Sequence, residues 1–381
     1  MRNLAKEHNS QFLTMSRGSE QYAKTRGAQQ CFGPSLGERL QKRLLGYLWM
    51  YFGVVSGLAG LLSPIEVKGL EFKNRIVMPP MQTGLATFKG AATRKLIEHY
   101  VRRSKPLGLV IVEHCYVSLN GKVSSDQLGV HDNDLVKGLE DLSSAVHATG
   151  TPIVVQINHA GKAASEDATG MTPVAPSAEG DVRELRREEI QDLTKDFAAA
   201  AEKVMKAGFD GVEVHGAHGF LLNQFFSPLT NQRRDEYGGS FENRTRFPLE
   251  VVERVREKVD GRLLLYRLGS DDLDPKGIGI EDSKKFATEL EKAGVDIIDV
   301  SGGLCGSRPA RLQGKQGYFI PQAECIKKMV RVPVIGVGGV TEPKYADRLV
   351  LQGKVDFVAV GRALLGDPDW GAKAIEALKS V

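Results

Sequence analysis

The sequence predicts an α/β fold, a (β/α)8 or TIM barrel, in which eight parallel strands alternate with eight helices. Apolar runs rich in Val, Ile and Leu recur eight times along the chain. They lack the polar alternation of a sheet with one face in water, so each predicted strand is covered on both faces. Most segments between the runs carry apolar residues at helical spacing. The length of 381 residues exceeds the roughly 250 that such a barrel needs.

The apolar runs give the predicted strands in order. They occupy residues 74–80, 107–115, 152–159, 209–215, 263–269, 295–302, 333–338 and 355–361. The clearest predicted helix lies at 191–207, where apolar side chains share one face and Gly208 can supply the left-handed end.

Composition narrows the function classes. The four cysteines lie far apart, with no Cys-x-x-Cys pair or metal-ligand spacing, so a disulfide framework, a zinc site and an iron–sulfur cluster are unsupported. Residues 1–43 hold eight Lys or Arg and three Asp or Glu, a balance of +5 against +4 for the whole chain. The remainder sums to about −1, and we expect no nucleic-acid partner.

The first sixty residues differ from the rest. We predict that residues 1–60 form a basic, disordered extension ending in the apolar segment 44–62, and that residues 61–381 form a single catalytic domain. The segment 44–62 has the length and basic flank of a membrane span. It also fits an atypical signal sequence, a packing segment at the barrel floor, or upstream sequence from a misplaced start. A span would carry the barrel away from cytoplasmic reductant, so we expect a cytoplasmic protein, and membrane contact through 44–62 is the less favoured alternative.

Two histidines follow the fourth predicted strand. Barrel enzymes place their reacting groups at the C-terminal ends of strands, and His215 and His218 lie there. Such a pair can bind a metal, but a hydrolytic zinc site needs a third ligand, and none is evident nearby. Both rings can instead donate hydrogen bonds to a substrate oxygen on which negative charge develops. We favour the paired donors and expect no metal.

Two further polar residues lie within apolar strands. Gln156 belongs to the third predicted strand and Arg267 to the fifth. A buried arginine requires an anion or a set of acceptors. The alternatives are a glutamine bonded to backbone and an arginine paired with Asp271 or Asp272.

The last two predicted strands end in small residues. They contribute Gly338 and Gly339, then Gly361 and Arg362. Glycines let backbone N–H groups approach an anion, and barrels often bind phosphate after strands seven and eight.

Four groups of motifs occur in order along the chain. They are NRIVMPPM at 74–81, VQINHAG at 155–161, the forty-residue block 208–247, and GVGGVTEP with DFVAVGRALLGDPDW near the end. Together they resemble the Old Yellow Enzyme family of FMN-dependent oxidoreductases. The resemblance is strongest to the branch that contains the barrel domain of 2,4-dienoyl-CoA reductase. Larger members of that branch continue into an iron–sulfur cluster and a flavin and pyridine-nucleotide domain. This chain ends after the eighth helix, so we expect neither.

The resemblance implies bound FMN and NAD(P)H as a transient hydride donor. Arg267 would face the N1/O2 edge of the flavin and stabilise its anionic reduced form. His215 and His218 would bind the carbonyl oxygen of the acceptor or the nicotinamide amide above the ring. The remaining expected FMN contacts are Pro79, Pro80, Met81, Gln82 and Gln156 at the ring, with Gly338, Gly339, Gly361 and Arg362 at the phosphate.

The chain departs from the family at two positions. Many members carry, two residues after the second histidine, a tyrosine that protonates the α-carbon of the substrate, and here that residue is Phe220. His114, at the end of the second predicted strand, is a candidate replacement. Gln82 occupies the second position. In the family this residue is often Cys or Thr, and it tunes the flavin potential.

These observations favour a ping-pong FMN-dependent NAD(P)H oxidoreductase that reduces activated alkenes or similar small electrophiles, such as unsaturated carbonyl compounds, at one shared site. An NAD(P)H oxidase or diaphorase passing electrons to oxygen, quinone or a partner protein is the first alternative. A metal-dependent hydrolase or lyase using His215 and His218 is the second. We expect a homo-oligomer, as in many relatives.

Overall fold

The computed structural model describes residues 59–380, which contain a closed barrel of eight parallel strands in sequential order. The predicted fold is confirmed, and each observed strand lies within or overlaps its predicted run. The barrel strands are β1 Ile76–Met78, β2 Leu109–Tyr116, β3 Ile153–Asn158, β4 Gly211–Gly216, β5 Leu263–Gly269, β6 Ile297–Ser301, β7 Val334–Gly336 and β8 Phe357–Ala359.

Eight helices follow the strands in turn. They are α1 Arg94–Ser104, α2 Val136–His147, α3 Arg187–Lys206, α4 Phe241–Lys258, α5 Ile280–Lys292, α6 Ile320–Lys327, α7 Pro343–Leu351 and α8 Trp370–Lys379. The loops hold three shorter helices, Glu166–Thr169, Leu221–Phe226 and Arg362–Gly366, and the 3-10 turns Leu119–Gly121, Asn133–Leu135, Gly161–Ala163 and Ala310–Leu312. Two small strand pairs lie outside the barrel, Ile65–Val67 with Leu70–Phe72 and Val174–Ala175 with Arg183–Glu184.

Local signals explain the limits of α3. The helix begins four residues before its predicted start because the Glu189 side chain accepts a hydrogen bond from the Arg186 N–H at 2.8 Å. Such a bond satisfies a free donor at the first turn. The helix ends at Lys206, and Gly208 has a φ of +78°, as its predicted role requires.

The barrel interior changes from apolar to polar along its axis. The first residues of the strands, including Leu263 and Ile297, pack with the Ile65–Phe72 hairpin, whose Phe72 ring meets Phe357 edge-on at 5.3 Å. Because side chains alternate along a strand, Arg267 and Asp299 point inward above this apolar floor. The polar groups are therefore held at the C-terminal end of the barrel, where the reacting groups of such enzymes lie.

The predictions for residues 1–58 lie outside the described residues, as does most of the apolar segment 44–62. Of its last residues, Leu61 is buried in the core, and its N–H donates to Asp347 Oδ1 at 2.8 Å. Within residues 59–380, every helix is too short or too polar to cross a membrane.

Candidate active site

A cavity of about 720 Å³ opens at the C-terminal end of the barrel. This size suits a cofactor together with a small substrate. All but one of the predicted site residues line it, and the exception is Gly338, whose chain neighbours Val337 and Gly339 both do. The predicted residues at the cavity are Pro79, Pro80, Met81, Gln82, His114, Gln156, His215, His218, Arg267, Gly339, Gly361 and Arg362.

His215 presents a fixed hydrogen-bond donor. Its Nδ1 accepts the backbone N–H of Ala217 at 3.3 Å, so the proton of the neutral ring resides on Nε2. Burial, followed by the nearby His218 and Arg267, lowers the pKa of His215 well below its usual value. The ring is therefore an uncharged N–H donor at neutral pH.

His218 lies at the start of the loop after β4, in a left-handed conformation with a φ of +59°. Its Nε2 is 2.7 Å from Ser301 Oγ at the end of β6, and its ring meets that of His215 edge-on at 5.1 Å. Burial, then Arg267 and His114, lowers its pKa well below the usual range. Two neutral imidazoles thus face one cavity, and Ser301, not predicted from the sequence, positions the second.

A β-bulge turns His114 into the cavity. The register between β2 and β3 shifts between Val112 and Cys115, and a bulge of this kind re-aims a side chain. The Nδ1 of His114 then lies 2.9 Å from Gln127 Nε2. Gln127 is oriented unambiguously, because its Oε1 accepts the Val123 N–H and its Nε2 also donates to the His114 carbonyl. His114 Nδ1 must accept, and its Nε2 carries the proton.

Glu113, the residue before His114 in the chain, does not orient that ring. The Glu113 carboxylate turns away toward α1, where its Oε2 accepts from the Thr83 N–H at 3.1 Å and from the Tyr100 hydroxyl at 3.2 Å. Burial raises the pKa of Glu113 to about 7. Glu113 supports the loop that carries Met81 and Gln82, and Gln127 is the residue that holds His114.

A charged cluster lies beneath the cavity. Gln156 Nε2 donates to Glu213 Oε1 at 2.8 Å, and Arg267 Nε lies 3.2 Å from Asp299 Oδ2. The alternatives of backbone bonding for Gln156 and of pairing with Asp271 or Asp272 for Arg267 are both wrong. The Arg267 Nε–H lies close to the carboxylate but forms no hydrogen bond with it. Among the described residues, Arg267 donates instead from Nη1 to the Pro80 carbonyl, over a long 3.5 Å. Most guanidinium donors are therefore free for a ligand.

Another part of the cavity wall is built from glycines and a cation. Gly339 has a φ of +66°, and a Cβ added there would lie 3.1 Å from Arg362 Nη2. A Cβ at Gly361 would lie 2.9 Å from Met81 Sδ. Arg362 is held by the Tyr318 hydroxyl at 3.1 Å, a contact that the sequence did not suggest. Bare backbone beside a guanidinium matches the needs of a phosphate group.

The cavity fits FMN in size and in the charge of its lining. Within the described part of the chain, the cavity-lining side chains include four cations and no carboxylate; the cations are Arg267, Arg308, Lys315 and Arg362. An anionic ligand with a phosphate at one end and a ring acceptor at the other would satisfy Arg362 and Arg267 together. Gln82, whose Nε2 donates to Ser124 Oγ at 2.6 Å, lines the cavity beside Met81.

A metal centre finds no support in this geometry. Within residues 59–380, no group of three or more His, Cys, Asp or Glu side chains is placed to hold a metal ion. His215 and His218 are instead engaged by Ala217 and Ser301.

Comparison with known proteins agrees with the site. The NADH:flavin oxidoreductase / NADH oxidase family matches residues 60–380. An NADH oxidase of Thermoanaerobacter brockii is 42% identical over 83% of the chain, which spans 50% of that protein. An NADPH dehydrogenase of Geobacillus sp. (strain WCH70) is 37% identical over 84% of the chain and 94% of its own length.

Solved structures show the same fold. The Old Yellow Enzyme homologue of Zymomonas mobilis superposes with a TM-score of 0.74 and 29% identity, covering 84% of this chain and 93% of that one. A 2-naphthoyl-CoA reductase bound to 2-naphthoyl-CoA gives a TM-score of 0.79 and 28% identity, over 84% of this chain and 52% of that one. The chain thus spans about half of two of its relatives and nearly all of two others.

The match over residues 60–380 and the 37% identity to a relative covered almost end to end confirm the resemblance and the FMN-dependent NAD(P)H oxidoreductase class. The chain belongs to the NADH:flavin oxidoreductase / NADH oxidase family, the family of the Old Yellow Enzymes.

Proposed function

We propose that this protein binds FMN in the barrel cavity and reduces a small electrophile, foremost an activated alkene conjugated to a carbonyl. One observation carries the proposal. Three uncharged imidazoles, those of the cavity-lining histidines, face the same cavity as Arg267, whose guanidinium has N–H donors without a protein partner among the described residues. When bound, FMN supplies hydride chemistry: it accepts hydride from NAD(P)H and passes it on to the acceptor.

The protein would hold FMN at both ends. Arg267 and Gln156 would meet the polar edge of the ring, with residues 79–82 along it. Arg362 and the backbone at Gly339 and Gly361 would meet the phosphate, with Gly338 next to Gly339 in the chain. The placement of an arginine at the ring favours negative charge there, which stabilises the reduced cofactor.

The histidines would act on the acceptor. His215 offers its Nε2–H, and the His218 ring lies 5.1 Å away, so one carbonyl oxygen can meet both rings. Preorganised N–H donors stabilise the negative charge that develops on this oxygen, typically by a factor of about 100 to 1,000 in rate for each donor. Neutral rings suit this task, because a neutral imidazole can donate a hydrogen bond to the oxygen and keep its proton.

The proton that completes alkene reduction has no evident donor beside the histidines in the described part of the chain. Tyr318 also lines the cavity, but its hydroxyl donates to the Ser307 carbonyl at 2.8 Å and accepts from Arg362. Phe220 packs between His215 and His114, with ring centroids 5.0 and 5.3 Å away, and it cannot donate. Burial lowers the pKa of His114 to about 4, so this ring is uncharged at neutral pH. We infer that His114 binds the acceptor as a neutral donor and that water delivers the proton.

The same observation favours a second candidate function. Quinones and oxygen take up their protons on oxygen atoms, directly from water, and they do not need an acid aimed at carbon. Phe220 therefore suits an NAD(P)H oxidase or diaphorase. A Thermoanaerobacter brockii relative bears the name NADH oxidase, although the chain spans only half of it.

Steady-state turnover with three acceptors separates the two functions. Cyclohexenone, a soluble quinone and oxygen alone would each be tested with NADH and NADPH, in the wild type and in Phe220→Tyr. The alkene function predicts parallel-line kinetics with cyclohexenone and faster alkene reduction in the variant, with quinone turnover little changed. Intersecting lines would reject the shared site. If both proteins turn over quinone or oxygen but not cyclohexenone, the second function is supported and the first is rejected.

Other expectations remain predictions. The shared site and the absence of a GxGxxG turn after a strand support NAD(P)H as a transient visitor. Dependence on NAD(P)H supports a cytoplasmic location. The homo-oligomer, the absence of an iron–sulfur cluster and the extension formed by residues 1–60 also stay as predicted.

A further inference from the structure

Two buried carboxyl groups lie beneath the cavity and do not line it. Glu213 on β4 and Asp299 on β6 are fully buried, and Arg267 on β5 stands between their strands. Alternate strands contribute to one interior layer of such a barrel. The two acids therefore share the layer directly behind the guanidinium that faces the cavity.

The polar contacts of this cluster are incomplete. Glu213 Oε2 and both Asp299 oxygens lack a hydrogen-bond partner, although Arg267 Nε lies 3.2 Å from Asp299 Oδ2. Glu213 Oε1 accepts from Gln156, so Oε2 is the atom left free to carry a proton. Buried polar atoms without partners are rare, and each needs an explanation.

Charge counting limits what these groups can do. The charged groups that act on Glu213 are Asp299 and Arg267, and Arg267 also acts on Asp299. Two ionised carboxylates beside one guanidinium would leave a net negative charge in a dry interior, which is costly. Burial and the neighbouring Asp299 raise the pKa of Glu213 well above its usual value, while Arg267 opposes the rise at Asp299.

We propose that Glu213 and Asp299 hold one proton between them, on Glu213, and that the ionised Asp299 sets how much positive charge Arg267 presents to the flavin. The two acids are positioning residues, since neither reaches the cavity. This inference rests on FMN binding above Arg267. It adds to the proposed function that these two acids set how much more tightly the site binds reduced FMN than oxidised FMN.

The first test measures the reduction potential of bound FMN in two isosteric variants. Glu213→Gln imitates a protonated acid and should leave the potential as in the wild type. Asp299→Asn removes the counter-charge of Arg267, so the potential should rise, with the preference for reduced over oxidised FMN increasing by about tenfold or more. A rise in both variants would mean that both acids are ionised. A rise in neither, or in Glu213→Gln alone, would equally overturn the proposal.

The second test needs no cofactor. Infrared spectra are recorded on apoprotein that carries Glu113→Gln, because buried Glu113 has a pKa of about 7 and would add a carboxyl band of its own. At neutral pH this protein should still show the carbonyl stretch of a buried protonated carboxyl group. That band should vanish when Glu213→Gln is added and persist when Asp299→Asn is added. Absence of the band from the Glu113→Gln protein, or a band that survives Glu213→Gln, would refute the shared proton even if FMN binds. Failure of FMN to bind would instead contradict the proposed function and leave this readout intact.

Discussion

Gln127 donates a side-chain N–H to Nδ1 of His114 across 2.9 Å, and this bond determines which ring nitrogen carries the proton. Since Nδ1 accepts, Nε2 carries the proton of the neutral ring. A residue from the loop after β2 thus converts a potential acid into a fixed hydrogen-bond donor.

Gln127→Glu should make the His114 ring easier to protonate. A carboxylate beside the ring favours the imidazolium form, so the pKa of His114 should rise from about 4 to at least about 5. Nitrogen-15 NMR of labelled histidines measures this change. His159, whose contacts with Asn120 and Gly161 are untouched, provides the internal control. An unchanged His114 titration would show that Gln127 does not control the ring.

Arg267→Met should weaken FMN binding. The substitution keeps the apolar stem and removes the donors that face the ring, and hydrogen bonds to charged groups contribute about 1.5–3 kcal/mol. We expect the dissociation constant to rise by about 10- to 100-fold, measured by fluorescence titration of the apoprotein. Arg256→Met is the matched control, because Arg256 pairs with Asp296 at 2.8 Å away from the cavity. Equal losses in the two variants would argue against a contact between Arg267 and FMN.

His218→Ala and Ser301→Ala should differ in severity. Loss of the ring removes a donor to the acceptor oxygen and should lower the rate of acceptor reduction by about 100- to 1,000-fold. Loss of the Ser301 hydroxyl removes only the 2.7 Å contact that positions the ring, so the rate should fall by about tenfold or less. Single-turnover reoxidation of reduced enzyme measures both. If Ser301→Ala equalled His218→Ala, the serine would itself contact the acceptor.

Glu113→Gln should change the pH dependence of folding stability. The pKa of Glu113 is raised from 4.5 to about 7, so the folded state keeps a proton that the unfolded chain releases. The wild type therefore loses stability as pH rises from 4.5 to about 7, by up to about 3 kcal/mol.

The variant cannot ionise and should lack that loss, so its stability relative to the wild type should increase across this window. Urea unfolding at a series of pH values measures the difference. Parallel stability curves for the two proteins would show that Glu113 ionises as readily in the folded state as in the unfolded chain.

Much of the site follows from local sequence signals. Strand ends located His215 and His218, and the rarity of an arginine inside an apolar strand located Arg267. Glu213 carried a comparable signal, since it lies two residues before His215 and alternation points both inward. Alternation along this strand alone therefore predicts that Glu213 lies inside the barrel.

Other features depend on contacts between distant parts of the chain. The bulge that separates Glu113 from His114 is a property of the β2–β3 register. Asp299 meets Arg267 because β5 and β6 are neighbours in register, whereas the sequence suggested the nearer Asp271 or Asp272. Ser301 and Gln127 likewise reach their histidines across 83 and 13 positions, so neither contact could be read from spacing.

The most direct test of the central claim is an anaerobic absorption titration of the purified protein. FMN would be added until binding saturates, followed by NADH and, in a separate sample, NADPH. The proposed function predicts one FMN per chain, bleaching of the flavin bands by at least one nicotinamide, and their return on addition of the acceptor. A protein that binds no FMN, or whose flavin bands resist both nicotinamides, would contradict it.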